Sequence, residues 1–216
     1  MVHREERCFF FKRLKWKYRK KKHIRDFGLG NKIYINEKVD IKWLKIDCFG
    51  NNNKIFIDTA ERFVGSIFVG TRDCPCSNCK VIISKGTTSN GIMIRLMDNN
   101  SSFYCGEDCM FSDAIQVWCS DTHTITDLDG KINNYGKKVN IGNHVWIGTG
   151  VRISKNTSIA DRCIVGMGSV VSGDFIEENC VIAGNPAKIV KRNLEWNRMR
   201  PNDYVKKTFG QRDSVL

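Results

Sequence analysis

The sequence predicts an all-β fold, a parallel β-helix built from six-residue repeats, and three observations carry that prediction. Between residues 141 and 176 the chain reads in sixes as IGNHVW, IGTGVR, ISKNTS, IADRCI, VGMGSV and VSGDFI. The first place of each six is aliphatic and β-branched: Ile141, Ile147, Ile153, Ile159, Val165, Val171. The second place is Gly, Gly, Ser, Ala, Gly, Ser, small throughout, and the same phase reappears upstream at Cys105, Phe111 and Val117.

A period of six is neither the 3.6 of a helix nor the 2 of an isolated strand. It fits a prism whose coils have three short sides, each giving one inward branched residue and each corner taking a small one. Three sides make an 18-residue coil, and stacked coils pair as parallel strands roughly 4.8 Å apart. The spacing therefore sets Ile141 over Ile159, Ile147 over Val165 and Ile153 over Val171. Replacing Ile159 by Ala is expected to cost about 2–5 kcal/mol, as for other buried aliphatic truncations.

Upstream, Cys105 and Ile141 are two full coils apart by this count. Residues 120–138 keep the count but not the pattern and are predicted to form an irregular loop, the kind of segment where function resides. The stretches GNNNKIFI (50–57) and MDNNSSFYCGEDC (97–109) read as looser coils with Asn at corners and with insertions. After Val190 a short helix and a frayed tail are expected. The division is a basic arm over 1–32, the β-helix over 33–192 and a C-terminal helix and tail over 193–216.

The chain has 216 residues, 41% hydrophobic and 27% charged, enough for one domain with a sizeable core. No stretch approaches the roughly 20 apolar residues of a membrane span. The early run Cys8-Phe9-Phe10-Phe11 is too short for a secretory signal core, so a cytoplasmic location is expected. The net charge is +12, and residues 1–32 hold twelve Lys/Arg against three acidic residues, a net of +9. The arm reads either as a solvated segment or as a peripheral contact with an anionic membrane, because Phe9–Phe11, Leu14, Trp16 and Tyr18 interleave with its cations. It contains no nucleic-acid module, and no nucleic-acid partner is expected.

The ten cysteines are not expected to form disulfides in the cytoplasm. Cys74, Cys76 and Cys79 form a C-x-C-x-x-C cluster, but a structural zinc site takes four ligands and no fourth stands nearby, so no metal is expected. Most of the others read as small buried residues.

Four segments in order, SDTHTITD (120–127), IGNHVWIG (141–148), VGMGSVVSGD (165–174) and IAGNPAKIVKR (182–192), resemble the hexapeptide-repeat acyltransferases over roughly residues 40–192. Within that family the chain is most similar to the sugar O-acetyltransferases of polysialic acid, capsule and lipopolysaccharide. The chain departs from the pattern at His144, where related sequences often have Asn or Lys, and at Ser172-Gly173, where many have Thr-Lys. The resemblance implies a left-handed coil, a homotrimer with active sites between subunits, acetyl-CoA as co-substrate, and a glycan or a nucleotide- or lipid-linked sugar as acceptor.

O-acetylation needs a hydroxyl deprotonated as it attacks a thioester, and a positioned base contributes roughly 10²–10⁴-fold. Histidine suits that task near neutral pH. His3 and His23 lie in the basic arm; His123 opens the irregular loop and matches the family's catalytic histidine, with Asp121 or Asp127 as the group that orients it. His144 falls at the fourth place of its six and reads as an outward residue lining the acceptor, alongside Asp121. Trp146 matches the family's tryptophan beside the thioester, its backbone N–H offered to the oxyanion, or else it is an interface aromatic. Gly148, Thr149, Met167, Ser172 and Gly173 match the contacts to the pantetheine arm, and Lys188, Lys191 and Arg192 those to the adenosine phosphates. Direct transfer in a ternary complex is expected; an acyl-enzyme on Cys119 or Ser120 is the alternative. An antibiotic-modifying acetyltransferase shares the same motifs, and a γ-type carbonic anhydrase on this prism would need three histidines where the repeat holds two.

Overall fold

The structure, a computed structural model, describes residues 22–59 and 61–210. Residues 1–21 of the expected arm (1–32) and residues 211–216 of the expected helix and tail (193–216) lie outside the described residues. Short strands stack in parallel on three faces of a prism. On the first face Met110–Phe111, Trp146–Ile147, Ile164–Val165 and Val181–Gly184 pair in turn. On the second, Ile115–Trp118 pairs Arg152–Ile153, which pairs Val170–Val171. On the third, Ser102–Cys105, Lys138–Ile141, Thr157–Ile159 and Asp174–Phe175 follow one another.

The three predicted ladders are present, with Ile141 on Ile159, Ile147 on Val165 and Ile153 on Val171. Their side chains fill the core together with Phe63, Phe103 and Phe111. The turn from side to side is made at the fourth place of the first five sixes. His144, Gly150, Asn156, Arg162 and Gly168 there all have φ between 52° and 72°, the left-handed region. Asn52, Asn78 and Asn100 do the same in the looser coils. Asn tolerates that conformation better than most residues, which explains the Asn-rich corners.

Toward the N-terminus the strands lengthen. Asp40–Cys48, Arg62–Val69 and Thr88–Leu96 each run across a corner and serve both the first and the second face, with their registers slipping at the bend. Lys32–Ile35, Lys54–Ile57 and Lys80–Ile83 extend the third face. Lys22–Asp26 pairs with Leu44–Cys48, so the stack begins within the segment assigned to the arm, ahead of residue 33.

The loop expected over residues 120–138 takes up one coil of the count between residues 105 and 141. Cys105 pairs directly with Ile141, Phe111 with Ile147 and Val117 with Ile153. The 36 residues between partners are one coil plus an excursion of a further coil's length, not two stacked coils. The excursion leaves after Trp118 and rejoins at Lys138, at the corner between the second and third faces.

At the other end Val181–Gly184 and Ala187–Lys191 form an antiparallel hairpin. The chain then folds back along the corner between the third and first faces. Trp196 is buried there, and Arg198 donates to Asp108 Oδ1 (3.0 Å), Thr88 Oγ1 (2.8 Å) and the carbonyls of Gly86 and Cys109 (3.0 Å each). The packed body thus continues past residue 192, and the C-terminal helix follows at Pro201–Phe209. No described helix is long and apolar enough to cross a membrane.

Candidate active site

The excursion is more ordered than an irregular loop. Thr126 and Ile132 form an antiparallel bridge, and Asn133 N–H donates to the Ile125 carbonyl at 2.8 Å. Asp127 closes the tip, its Oδ1 accepting from the amides of Asp129 (3.1 Å) and Lys131 (2.8 Å). That role fixes Asp127 in the turn and away from His123.

The base of the loop is tied on both sides. Asn134 Nδ2 donates to the His123 carbonyl (2.7 Å) and to Asp121 Oδ2 (3.0 Å), and Asn134 Oδ1 accepts from Ile125 N–H (2.9 Å). Lys155, at the same corner one coil on, pairs with Asp121 at 3.1 Å. Lys137 pairs with Asp98 at 3.2 Å, one coil before. A small cavity of about 100 Å³ results, lined among others by Asp98, Ser120, Asp121, His123, Asn134 and Tyr135. The His123 side chain is exposed in it, and its ring accepts or donates no hydrogen bond among the described residues. Thr122, directly before it, has φ 71°. A β-branched residue in that region is strained, and such strain gathers where a neighbouring side chain must be aimed. The cavity thus brings together two predicted residues, His123 and Asp121.

Trp146 does not line it. It faces outward on the first face between Met110 and Ile164, with Nε1 donating to Ser112 Oγ at 3.2 Å. Its backbone N–H donates to the Cys163 carbonyl at 2.9 Å, so that amide belongs to the coil ladder and is not offered to an oxyanion. Gly148 is buried, and a Cβ there would meet Met167 N and Val165 O at 2.8 Å. The stack itself therefore requires that glycine. Thr149 and Met167 are exposed on the corner between the first and second faces, joined by the Gly168 N–H to Thr149 carbonyl bond (2.9 Å). Ser172 and Gly173 lie on the corner from which the loop emerges; Gly173, with φ 98°, has open space where a Cβ would stand. Lys188 and Lys191 are exposed on the hairpin, while Arg192 pairs with Glu177 at 2.9 Å.

His144 is drawn into the C-terminal clasp. Its Nδ1 lies 2.7 Å from Asp108 Oδ2, its Nε2 3.2 Å from the Trp196 carbonyl, and its ring stacks on Trp196 at 4.3 Å. Trp196 Nε1 donates back to the His144 carbonyl at 2.8 Å. Both ring nitrogens of His144 are engaged in this clasp, and the residue does not line the His123 cavity. Sequence reasoning missed this clasp because Trp196 and Arg198 lie in a segment with no repeat to place them.

Of the nine described cysteines, all but Cys74 are buried. Cys76 and Cys79 turn inward, their thiols pushed up by burial to about 12 and about 11, while Cys74 is exposed, so the three do not converge. Burial likewise pushes Cys119 up to about 12, and Ser120 Oγ accepts from Met97 N–H at 3.3 Å. Neither is presented as a nucleophile, which favours direct transfer. Among the described cysteines, a thiol reagent on the native protein is expected to label Cys74 alone. Cys48, Cys76, Cys79, Cys105, Cys109, Cys119, Cys163 and Cys180 should react only after denaturation, as read by peptide mass spectrometry. Rapid native labelling of Cys119 would contradict that burial.

Comparison with known proteins agrees with this fold. The family model for bacterial transferase hexapeptide (six repeats) matches residues 138–173. The polysialic acid O-acetyltransferase of Neisseria meningitidis is 37% identical over 172 residues, 79% of this chain and 77% of that protein. The polysialic acid O-acetyltransferase of Escherichia coli O1:K1 / APEC is 34% identical over 120 residues, 55% of this chain but only 38% of that protein's length. The crystal structure of the polySia specific acetyltransferase NeuO superposes with a TM-score of 0.65 at 28% identity, covering 85% of this chain and 92% of that one. The stack is a left-handed parallel β-helix. A relative 37% identical over more than two thirds of its length, sharing the repeat, settles the family: this chain belongs to the hexapeptide-repeat acyltransferases and is an acetyltransferase of the group that includes the polysialic acid O-acetyltransferases.

Proposed function

We propose that the protein moves an acetyl group from acetyl-CoA to a sugar hydroxyl of an anionic surface glycan, such as polysialic acid, a capsule or lipopolysaccharide, with His123 as general base. The observation that carries the reading is His123 itself: exposed, aimed from a strained backbone and placed in a loop cavity whose carboxylates are already paired. In the reaction the imidazole takes the hydroxyl proton as the oxygen attacks the thioester carbonyl. The tetrahedral intermediate then collapses, the C–S bond breaks, and the CoA sulfur leaves with the proton returned by the imidazolium.

The donor cradle runs past Gly148, Thr149, Met167, Ser172 and Gly173, with Lys188 and Lys191 meeting the phosphates and Arg192 beside them. Thr149 and Met167 stand on one corner of the prism and His123 on another, so one prism alone does not bring them into a single cleft. A second copy laid corner to corner would complete it, and on that ground we assign a homotrimer with sites between subunits. The basic segment over 1–32 fits a peripheral position at the anionic inner face of a membrane, with the protein in the cytoplasm.

The test uses the purified full-length chain, with free CoA measured by a thiol reagent and the acetylated product by mass spectrometry. CoA release is expected only when an anionic glycan is added, together with a trimer mass by sedimentation equilibrium. Acetylation of small aminoglycoside or galactoside acceptors alone would replace the glycan reading with a small-molecule one.

A further inference from the structure

On the second face the parallel register stacks Arg25, Asp47, Phe68, Arg95 and Trp118 in one outward column. Arg95 sits between two rings, its Cζ 4.8 Å from the Phe68 centroid and 5.0 Å from that of Trp118. The arrangement follows from the fold, because rungs in register bring outward side chains within reach of the residues above and below. An arginine face suits stacking on aromatic rings, and the stack fixes the plane of the guanidinium while leaving its edge for hydrogen bonds.

Arginines that serve the fold here are hydrogen-bonded. Arg25 donates twice to Asp47, at 2.7 and 2.6 Å, and Arg198 binds carbonyls and Asp108. Arg95 differs: its Nε is buried without a partner, and among the described residues no carboxylate or carbonyl meets its other nitrogens. The nearby acids are taken. Asp47 is held below the usual carboxylate range by its hydrogen bonds to Arg25, with Lys45 adding to the effect. Asp98 pairs with Lys137 and Asp121 with Lys155. The column also leads into the catalytic loop: Trp118 is the last strand residue before it, Cys119 N–H donates to the Arg95 carbonyl at 3.0 Å, and Asp98, three residues after Arg95, lines the His123 cavity.

We propose that Arg95, clamped between Phe68 and Trp118, binds the carboxylate of an acidic sugar residue and so positions a carboxylated glycan against His123. The proposal rests on the acetyltransferase reading above and names what selects its acceptor. A planar, immobilised guanidinium takes a carboxylate through two parallel N–H donors, with little entropy left to lose. A neutral sugar offers nothing that needs such a group. Arg95 is a positioning residue: it touches the substrate away from the reacting hydroxyl.

The experiment measures acetyl transfer to polysialic acid oligomers and to the same oligomers with the carboxyl reduced to a primary alcohol. It compares the wild type with Arg95→Gln and Arg95→Lys. A charge-assisted hydrogen-bond pair makes the expected effect of Arg95→Gln a rise in acceptor KM of about 10–100-fold on the acidic oligomer. The KM for acetyl-CoA should stay unchanged, and the reduced oligomer should show no further loss. Arg95→Lys, which keeps the charge without the fork, should fall between. Equal losses on both acceptors would overturn the assignment. Calorimetric titration of the oligomers into the protein without acetyl-CoA separates the two levels. Binding that depends on both Arg95 and the carboxylate, without turnover, sinks the acetyltransferase reading and keeps this one. Turnover with no such dependence does the reverse, and wild-type protein that binds neither oligomer refutes the carboxylate site.

Discussion

Replacing His123 by alanine is expected to lower kcat by about 10²–10⁴-fold, the usual contribution of a positioned base. The KM for acetyl-CoA and the melting temperature should hardly move. The reason is structural. The loop is held by the side chain of Asn134, the Asp127 turn and the Lys155–Asp121 pair, none of which uses the imidazole ring. Asn134 binds the His123 carbonyl, which any residue supplies. Truncating an exposed ring with no hydrogen bond among the described residues removes chemistry and leaves the fold. Steady-state rates together with a thermal melt of the same sample test this. A variant that retains activity within a few-fold shows that another group deprotonates the acceptor, and one that melts early shows that the ring supports the loop.

The second large effect concerns stability. Phe111→Ala is expected to cost about 3–5 kcal/mol, as for other buried aromatic truncations. Phe111 is only 1% exposed and stacks between Ser89 on one rung and Ile147 on the next. Close-packed neighbours fixed by ladder hydrogen bonds above and below collapse poorly into a void, so the cavity term persists. Domain stabilities are about 5–15 kcal/mol in total, and the midpoint in urea should fall markedly. Below that midpoint the activity per folded molecule should survive, because the residue points away from the site. A loss under 1 kcal/mol would mean that the rung carrying the loop is not packed as described.

The repeat made most of the prism legible. A β-branched residue every six places has a single geometric reading, and Ile141 to Val171 fall where that reading sets them. Counting alone was silent on one point, and the loss of pattern over 120–138 was what marked the loop. Cys105 and Ile141 keep phase whether the residues between them stack or swing out, and the pairing of Cys105 with Ile141 tells the two apart. His123, the base proposed above, stands out in the sequence only through its local motif. Asn134 and Lys155, which organise its surroundings, lie in unremarkable sequence and act across the corner. Arg95 was equally hidden: its neighbours Phe68 and Trp118 lie 27 and 23 residues away and meet it only through register. His144 is hidden in another way: its ring is stacked by the distant Trp196, a contact that no local pattern announces.

A detour that departs from and returns to one rung leaves the ladder indifferent to its content. Residues 121–136 can grow, shrink or exchange side chains without shifting an inward contact, since the chain on either side is pinned by its own strands and by buried Cys119 and Ser120. Acceptor preference is thereby uncoupled from the folding problem. Evolution, or a directed library, can vary the walls around His123 at that one corner while the core stays as it is.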